Sequence, residues 1–332
     1  MGLVFRLRSG TICIINIVFF LQYIRNLIYM KLLYKILTII LITCPLVSGV
    51  LAQELNVVPK ALEAASDKIS KYTSGLIPGE GYTETSIDLR ENHKPDYSIL
   101  AVRELLKIDS GNIFTQFSLF NTEQNNKERV MGNIGLGTRK LLNDNTLLVG
   151  FNGFLDNDFS DTSGSCCQIG QNRRVSLGFE VRNAVLDFHS NIYQGIHDTD
   201  NERVLDGWDY QLASQVPYLH WSKVFVNHYE WDGVLRDDIK GTKLGSEMIL
   251  TRSLNLEVAY DDKDKKGLED EWYAKIQFVH PPRNDGPTAL DGISNTAWKE
   301  NKDMSGELVS KVKRNNKIMI EFKGTTNISR LD

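Results

Sequence analysis

The chain has 332 residues, 42% of them hydrophobic and 24% charged, with a net charge of -4. That length admits one large domain or two small ones, and the charge balance excludes a basic nucleic-acid binder. The charge is uneven: all five charges of residues 1–52 (Arg6, Arg8, Arg25, Lys31, Lys35) are basic, so 38 basic residues fall to 33 against 42 acidic ones and the remainder carries -9.

Residues 30–52 read MKLLYKILTIILITCPLVSGVLA. Lys31 and Lys35 make a positive start, Ile36–Val47 is an apolar stretch, and Val50-Leu51-Ala52 leads to a cleavage point before Gln53. This is the pattern of a secretory signal peptide. A membrane anchor is the rival reading, but the stretch is short against the ~20 residues of a spanning helix. Ile12–Leu21 is apolar too, so either Met30 is the true start or residues 1–52 form one two-part leader. Cys13 and Cys44 lie in this leader. Cys166 and Cys167 are adjacent, and a bridge between them would be strained and join nothing distant. They read as a loop feature; a metal site is the alternative, two ligands short of the usual four. The chain is expected to be exported without being built on disulfides.

From Gln53 the pattern is helical, with Leu62, Ala65, Ile69 and Tyr72 at three- and four-residue spacing, until Ser74, Gly75, Pro78, Gly79 and Gly81 break it. From there to about Pro281 the apolar residues alternate with period two. The spacing predicts about twelve strands: Thr83–Arg90, Tyr97–Ile108, Ile113–Phe120, Val130–Leu141, Thr146–Asp156, Arg174–Asn183, Val185–Gln194, Gly207–Val216, Trp221–Trp231, Thr242–Arg252, Leu254–Asp262 and Trp272–His280. Each is near the length a tilted strand needs to cross a bilayer. No later run of 18 apolar residues offers a spanning helix.

Each strand has two unlike faces. Val175, Leu177, Phe179 and Val181 oppose Ser176, Gly178, Glu180 and Arg182; Leu186, Phe188 and Ile192 oppose Asp187, His189 and Asn191; Leu254, Leu256, Val258 and Tyr260 oppose Asn255, Glu257 and Asp261. In Gly132–Ser160, Ile134, Leu136, Leu147, Val149 and Phe151 oppose Asn133, Gly135, Gly137, Arg139, Gly150 and Asn152. A soluble sandwich would place the greasy face inside. The connections argue otherwise. Tight ones at Asp109–Asn112, Asn143–Asn145, Asn183–Ala184, Pro217–His220 and Ser253 alternate with long polar ones at Asn121–Arg129, Phe159–Arg173, Gly195–Asp206, Asp232–Gly241 and Lys263–Glu271. Short periplasmic turns and long outer loops are the habit of an up-and-down outer-membrane barrel, which also abolishes free sheet edges. Trp208, Trp231 and Trp272 on the long-loop side, and Trp221 and Tyr218 on the short-turn side, would form two interfacial girdles. The polar face would then line a wet lumen, with glycines where the interior is crowded. Outer-membrane lipid is the first expected partner.

Other chemistry is weakly marked. Asp187 and His189 share one face, but no nucleophile is placed beside them, so no catalytic residue is assigned. Asp156, Asp158 and Asp161, and Asp261, Asp262 and Asp264, form acidic clusters without EF-hand spacing and read as solvated loop ends. No metal or cofactor is expected. A channel or porin is the rival function; an outer-membrane hydrolase is the remoter one.

The stretches Asn133–Arg139, Leu148–Ser160, Arg174–Glu180, Asp206-Gly-Trp-Asp209 and Leu308–Lys323 resemble, in order and spacing, the β-domain of the intimin/invasin group, the inverse autotransporters. The resemblance covers roughly residues 83–323. It implies a twelve-stranded barrel with a periplasmic N-terminus and a segment that turns back through the pore, carrying an adhesive C-terminal passenger outward. Barrel-assembly machinery and periplasmic chaperones are partners it implies. Asp291–Lys323 would be the plug, with Trp298–Val312 as its helix, against a lumen lined by Arg139, Glu180, Arg182, Asp187, Glu247, Glu257 and Lys275. Only nine residues follow Lys323, so no passenger is expected within this sequence, and any cell-surface receptor is undefined. The expected organisation is a leader at 1–52, a short periplasmic helical segment at 53–82, a closed antiparallel transmembrane β-barrel at 83–282, and a post-barrel plug or linker at 283–332.

Overall fold

The computed structural model describes residues 81–322, apart from 92, 125–126, 161–171, 200–201, 265–269, 284–285 and 300–302. The leader, the helical pattern of residues 53–75 and the Cys166–Cys167 pair lie outside the described residues.

Twelve of the described strands close into one antiparallel barrel: β1 (Gly81–Arg90), β2 (Asp96–Ile108), β3 (Gly111–Gln124), β4 (Lys127–Leu142), β5 (Leu147–Asp158), β6 (Arg173–Arg182), β7 (Leu186–His197), β9 (Gly207–Val216), β10 (Leu219–Trp231), β11 (Ile239–Thr251), β12 (Leu254–Lys263) and β13 (Glu271–His280). Neighbours in sequence are neighbours in the wall, and β13 closes on β1 with Thr83 opposite His280 and Arg90 opposite Tyr273. Two short strands lie outside the ring. β8 (Glu202–Val204), within the connection from β7 to β9, pairs with β14 (Ile320–Phe322) near the end of the described chain.

The period-two pattern sorts the faces as the chemistry requires. Along β6, Arg174, Ser176, Gly178, Glu180 and Arg182 are buried while Leu177 is exposed and Val175, Phe179 and Val181 are half-buried. Ile134, Leu136 and Phe151 are exposed on β4 and β5, while Asn133, Arg139 and Asn152 are buried between them. Greasy outside and polar inside reverses a soluble fold; hydrocarbon is the solvent that makes it favourable. No helix among the described residues is long and apolar enough to cross a membrane.

The turns at one end are tight. Asn143, Asp144 and Asn145 adopt left-handed φ values of 51°, 53° and 65° between β4 and β5, a conformation that Asn and Asp tolerate better than most residues. At the other end one expected long connection is mostly strand: β3 runs on past Phe120 to Gln124 and β4 begins at Lys127, before Val130, with Gln124 paired to Lys127. Its pairing continues where the alternation fades, because a strand standing clear of lipid has no greasy face to maintain.

The girdle expectation needs correction at two tryptophans. Trp208 and Tyr210 stack on the outer face with centroids 5.9 Å apart, and Tyr260 and Trp272 meet at 5.0 Å. Tyr218 is exposed at the turn end. Trp231, however, points inward against Tyr193, Leu205, Tyr229 and Ile239, and Trp221 is buried with its indole N–H donated to the Gly292 carbonyl. Both serve the packing of the post-barrel chain.

Candidate functional site

The lumen is occupied by the chain's own C-terminal segment. After β13 the chain passes the β11–β12 turn, where Arg283 N–H meets the Arg252 carbonyl, then the β9–β10 turn at Tyr218, then the β4–β5 turn, where Met304 N–H meets the Asn145 carbonyl. It then enters the barrel. The Leu308 carbonyl accepts from Asn112, at the turn end of β3, and the Ile318 carbonyl accepts from Gln124, at the far end of the same strand. The segment therefore runs the length of the pore, from the tight turns to the long loops. There Met319 and Ile320–Phe322 join Leu205 and β8, and Phe120, Met131, Val204, Ile318 and Ile320 pack into an apolar cluster.

The expected helix over Trp298–Val312 is not found: among its described residues only Ser305–Glu307 makes one 3-10 turn, and a second such turn, Ala289–Asp291, lies earlier. The backbone bonds to the wall instead of to itself. Arg139 donates to the carbonyls of Leu308 and Ser310 at 2.9 and 2.6 Å, Asn191 to Lys313 at 3.1 Å, Arg174 to Asn315 at 2.8 Å and Asn133 to Asn316 at 3.1 Å. In return the Val312 and Asn315 amides donate to Gln116 and to the Tyr193 hydroxyl, both at 2.8 Å. Buried peptide groups need partners, and a lumen lined with amides and guanidinium groups supplies them without a helix. The apolar spacing of Leu308 and Val312 mimics a helical stripe, but the two side chains pack in separate clusters, with Leu141 and with Phe114.

The donors come from β3, β4, β6 and β7, and this wall is built to seat a chain. Inward glycines leave hollows for rings: a Cβ at Gly137 would lie 2.4 Å from the Phe114 ring, and one at Gly135 2.4 Å from that of Phe154. The guanidinium of Arg139 lies 4.4 Å from the centre of Phe114, and that of Arg314, on the threading segment, 4.3 Å from that of Phe154. Each cation has a carboxylate. Arg139 reaches Glu180 at 2.6 Å across Gly150, whose missing side chain leaves the path open. Arg314 shares Asp156 with Arg174, at 2.6 and 2.7 Å, all three side chains fully buried.

The other wall is held differently. Lysines of the threading segment reach across: Lys311 to Glu84 of β1 at 2.9 Å, Lys317 to Asp96 of β2 at 3.0 Å, and Lys313 to Glu247 of β11. Between these arms and the wall lies a cavity of about 300 Å³ lined by Asp88, Glu257, Lys243, Lys275, Tyr229 and Tyr273 among others. The exit is tied by Arg129, which pairs with Asp158 at 2.6 Å and with Glu202 of β8, and by Glu321, whose carboxylate accepts from the Val234 and Leu235 amides.

All seven residues expected to line the lumen face it. Glu180 and Arg139 pair with each other, Arg182 with Asp187 and Glu307, Glu247 with Lys313, Lys275 with Asp88, and Glu257 accepts from Tyr273. Of the two acidic clusters, Asp264 is exposed at the end of β12 as expected and Asp161 lies outside the described residues, but Asp156, Asp158 and Asp261 are not solvated loop ends. Asp156 is buried under two arginines, Asp158 is paired with Arg129, and Asp261 accepts from Tyr229, because the register turns them inward. Asp187 is held by Lys223 at 2.6 Å and by Arg182, while the carboxylate beside His189 is Glu180's, 3.7 Å away. Both side chains of that pair face the lumen and are buried. Asn133, Asp156, Arg174 and Tyr193 were not singled out as a seat, although Asn133, Asp156 and Arg174 form one inward cross-strand row that the strand register would have aligned.

A solved structure described as "Unveiling the Mechanism Behind the in-meso Crystallization of Membrane Proteins" is 18% identical over 73% of this chain and all of its own, with a TM-score of 0.53. An outer membrane channel from Pseudomonas putida F1 (11% identity, 61% of this chain and 96% of its own, TM-score 0.44) and outer membrane phospholipase A from Escherichia coli (9%, 60% and 91%, 0.38) are weaker matches. No curated protein matches. Residues 52–316 match the family described as "Inverse autotransporter, beta-domain". A closed twelve-stranded barrel with a lipid-compatible exterior, in a chain that matches this family over most of its length, places the protein with outer-membrane barrels, and the chain belongs to the inverse autotransporter β-domain family.

Proposed function

We propose that this barrel is a translocator: it anchors in the outer membrane and presents on the cell surface whatever polypeptide follows residue 322. The observation that carries the reading is the threading of Leu308–Ile318 from the turn end to the loop end, with Ile320–Phe322 then paired to a strand of an outer loop. A chain so placed has its continuation on the outer side. Adhesion belongs to the passengers of the family, and this reading assigns none of it to the barrel. The test is an epitope or small folded domain joined after Asp332. Surface display on intact cells, by antibody or protease, is the expected result. A tag reached only after permeabilisation, on a barrel that still shows heat-modifiable migration, would overturn the reading.

The channel reading has one observation in its favour, the cavity of about 300 Å³ beside the threaded segment. The two readings part on deletion of residues 305–332. A translocator loses its plug, and conductance in planar bilayers rises from near closed to open. A channel that conducts past the segment already shows steady conductance in the full chain and changes little.

A further inference from the structure

At the turn end, part of the outer wall is covered. On β11, Glu247 faces the lumen and touches Lys313, so Ser246 and Met248 face outward. Met248 aligns with Ser222 on β10 and with Leu256 on β12, and beyond a bulge Thr251 and Leu254 share that face. An outward methionine in a lipid-facing wall would be open, yet Met248 is 1% exposed, and Ser246, Ser222, Thr251 and Leu254 are buried as well. The turn Ala289–Asp291 packs against β11 and β10. The post-barrel chain therefore lies over the outside of this wall before it enters the pore. It returns around the rim of the β9–β10 turn, where Ser294 N–H meets the Tyr218 carbonyl at 2.8 Å and Tyr218 N–H meets the Ala297 carbonyl at 2.9 Å. Lys299 N–H then meets inward-facing Gln215 at 2.9 Å.

This strap has an unusual surface. Leu290 is 56% exposed, Ile293 67% and Trp298 38%, beside exposed Tyr218. From Gly286 to Trp298 the one charged residue is Asp291, whereas Lys299, Glu300, Lys302 and Asp303 follow at once. Asp291 is satisfied locally: Thr288 donates to it from its backbone at 2.7 Å and from its hydroxyl at 3.1 Å. The Gly292 carbonyl takes the Trp221 indole N–H at 2.9 Å, and the Thr296 carbonyl lies 2.9 Å from His220 Nε2. Asp291, Asn295 and Thr296 are exposed beside the leucine, isoleucine and tryptophan, so the strap's surface is mixed, as befits a segment at the boundary between headgroups and acyl chains and not one sunk in hydrocarbon. The strap also continues, without a polar break, from the lipid-facing wall it covers.

We infer that Gly286–Trp298 is an interfacial membrane anchor, with Leu290, Ile293, Trp298 and Tyr218 inserted among the phospholipids of the leaflet on the tight-turn side. The strap thus docks on lipid outside the barrel wall, and the membrane holds the point from which the chain enters the pore.

The test uses the full mature chain with Cys166 and Cys167 replaced by serine. Ile293→Cys, Leu290→Cys and, as a water-exposed control, Asp303→Cys are each labelled with an environment-sensitive fluorophore. The proteins are reconstituted in phosphatidylethanolamine–phosphatidylglycerol vesicles, and heat-modifiable migration selects folded barrels. Lipids spin-labelled near the top of the acyl chain should quench most of the emission at 293 and 290 and little at 303, and aqueous iodide should do the reverse. Iodide quenching at 293 and 290 equal to that at 303 overturns the inference. Protection from both quenchers also overturns it, since protein rather than lipid would then cover the strap.

Discussion

The two halves of the barrel wall share one alternation and hold different things. From β3 to β7 the inner face has glycine hollows, rings lying in them, guanidinium groups over the rings, and side chains that take up the backbone of the threaded segment. From β10 through β13 to β1 and β2 the inner face also has ring-filled hollows, at Gly241 and Gly245, but it carries lysines, carboxylates and tyrosines around a cavity of about 300 Å³ and meets the threaded segment through that segment's lysine side chains. The stretches by which the sequence resembles its family in this region, Asn133–Arg139, Leu148–Ser160 and Arg174–Glu180, lie in β4, in β5 and the two residues after it, and in β6. What they encode is therefore the seat for a chain more than the barrel as such. A barrel needs only the greasy exterior, which both halves have.

The sharpest way to break this contrast is at Asp156. Asp156→Ala leaves Arg174 and Arg314 buried without their shared carboxylate, at a cost of about 3–5 kcal/mol. The heat-modifiable band should convert at a clearly lower temperature and pore conductance should flicker open. Unchanged melting and a silent pore would mean that the seat does not hold the segment. Next come the faces. Phe179→Arg on β6 should cost roughly 2–4 kcal/mol near mid-bilayer and block assembly, whereas Leu256→Arg on β12, close to the Ser253 turn, should cost less because the penalty falls toward the interface. Inside, the halves should differ: Ser176→Arg meets Arg314, which donates to the Ser176 hydroxyl at 3.0 Å, whereas Gln211→Arg opens into the cavity and should be tolerated. Folded yield in the membrane fraction reads all four variants, and equal yields would dissolve the contrast. Gly150→Val is expected to cost about 1–3 kcal/mol, because its side chain would intrude between Arg139 and Glu180. The smallest effect should be Lys275→Ala. Its pair with Asp88 is about a quarter exposed to the cavity and should be worth under ~1 kcal/mol; a large drop in melting temperature would show that the open half is as tightly built as the other.

The barrel was legible because a wall between lipid and water must alternate, so Leu177 and Ser176, or Leu256 and Glu257, declare their sides by polarity alone. Three things were not legible, each for a physical reason. Asn121–Gln124 is polar on both faces, so no alternation shows that β3 continues there. Trp221 and Trp231 suit a girdle and an aromatic core equally well, and only parity with Phe225 and Tyr229 turns Trp231 inward. The threaded segment has ordinary helical spacing, and nothing local tells it that amides across the lumen will take its peptide groups. The seat itself was half visible: Arg139 and Glu180 stood out as charges, but Asn133, Asp156 and Arg174 became a unit only when three strands aligned.

Part of the grip on the threaded segment falls on carbonyl oxygens, which every amino acid carries in the same place. Asn112, Asn133, Arg139, Arg174 and Asn191 would greet an advancing polypeptide of any composition with the same handholds, one set released as the next is taken. If the barrel exports a chain, as proposed above, these main-chain contacts would be open to any sequence, while Lys311, Lys313, Arg314 and Lys317 hold the resting segment by side chains of its own.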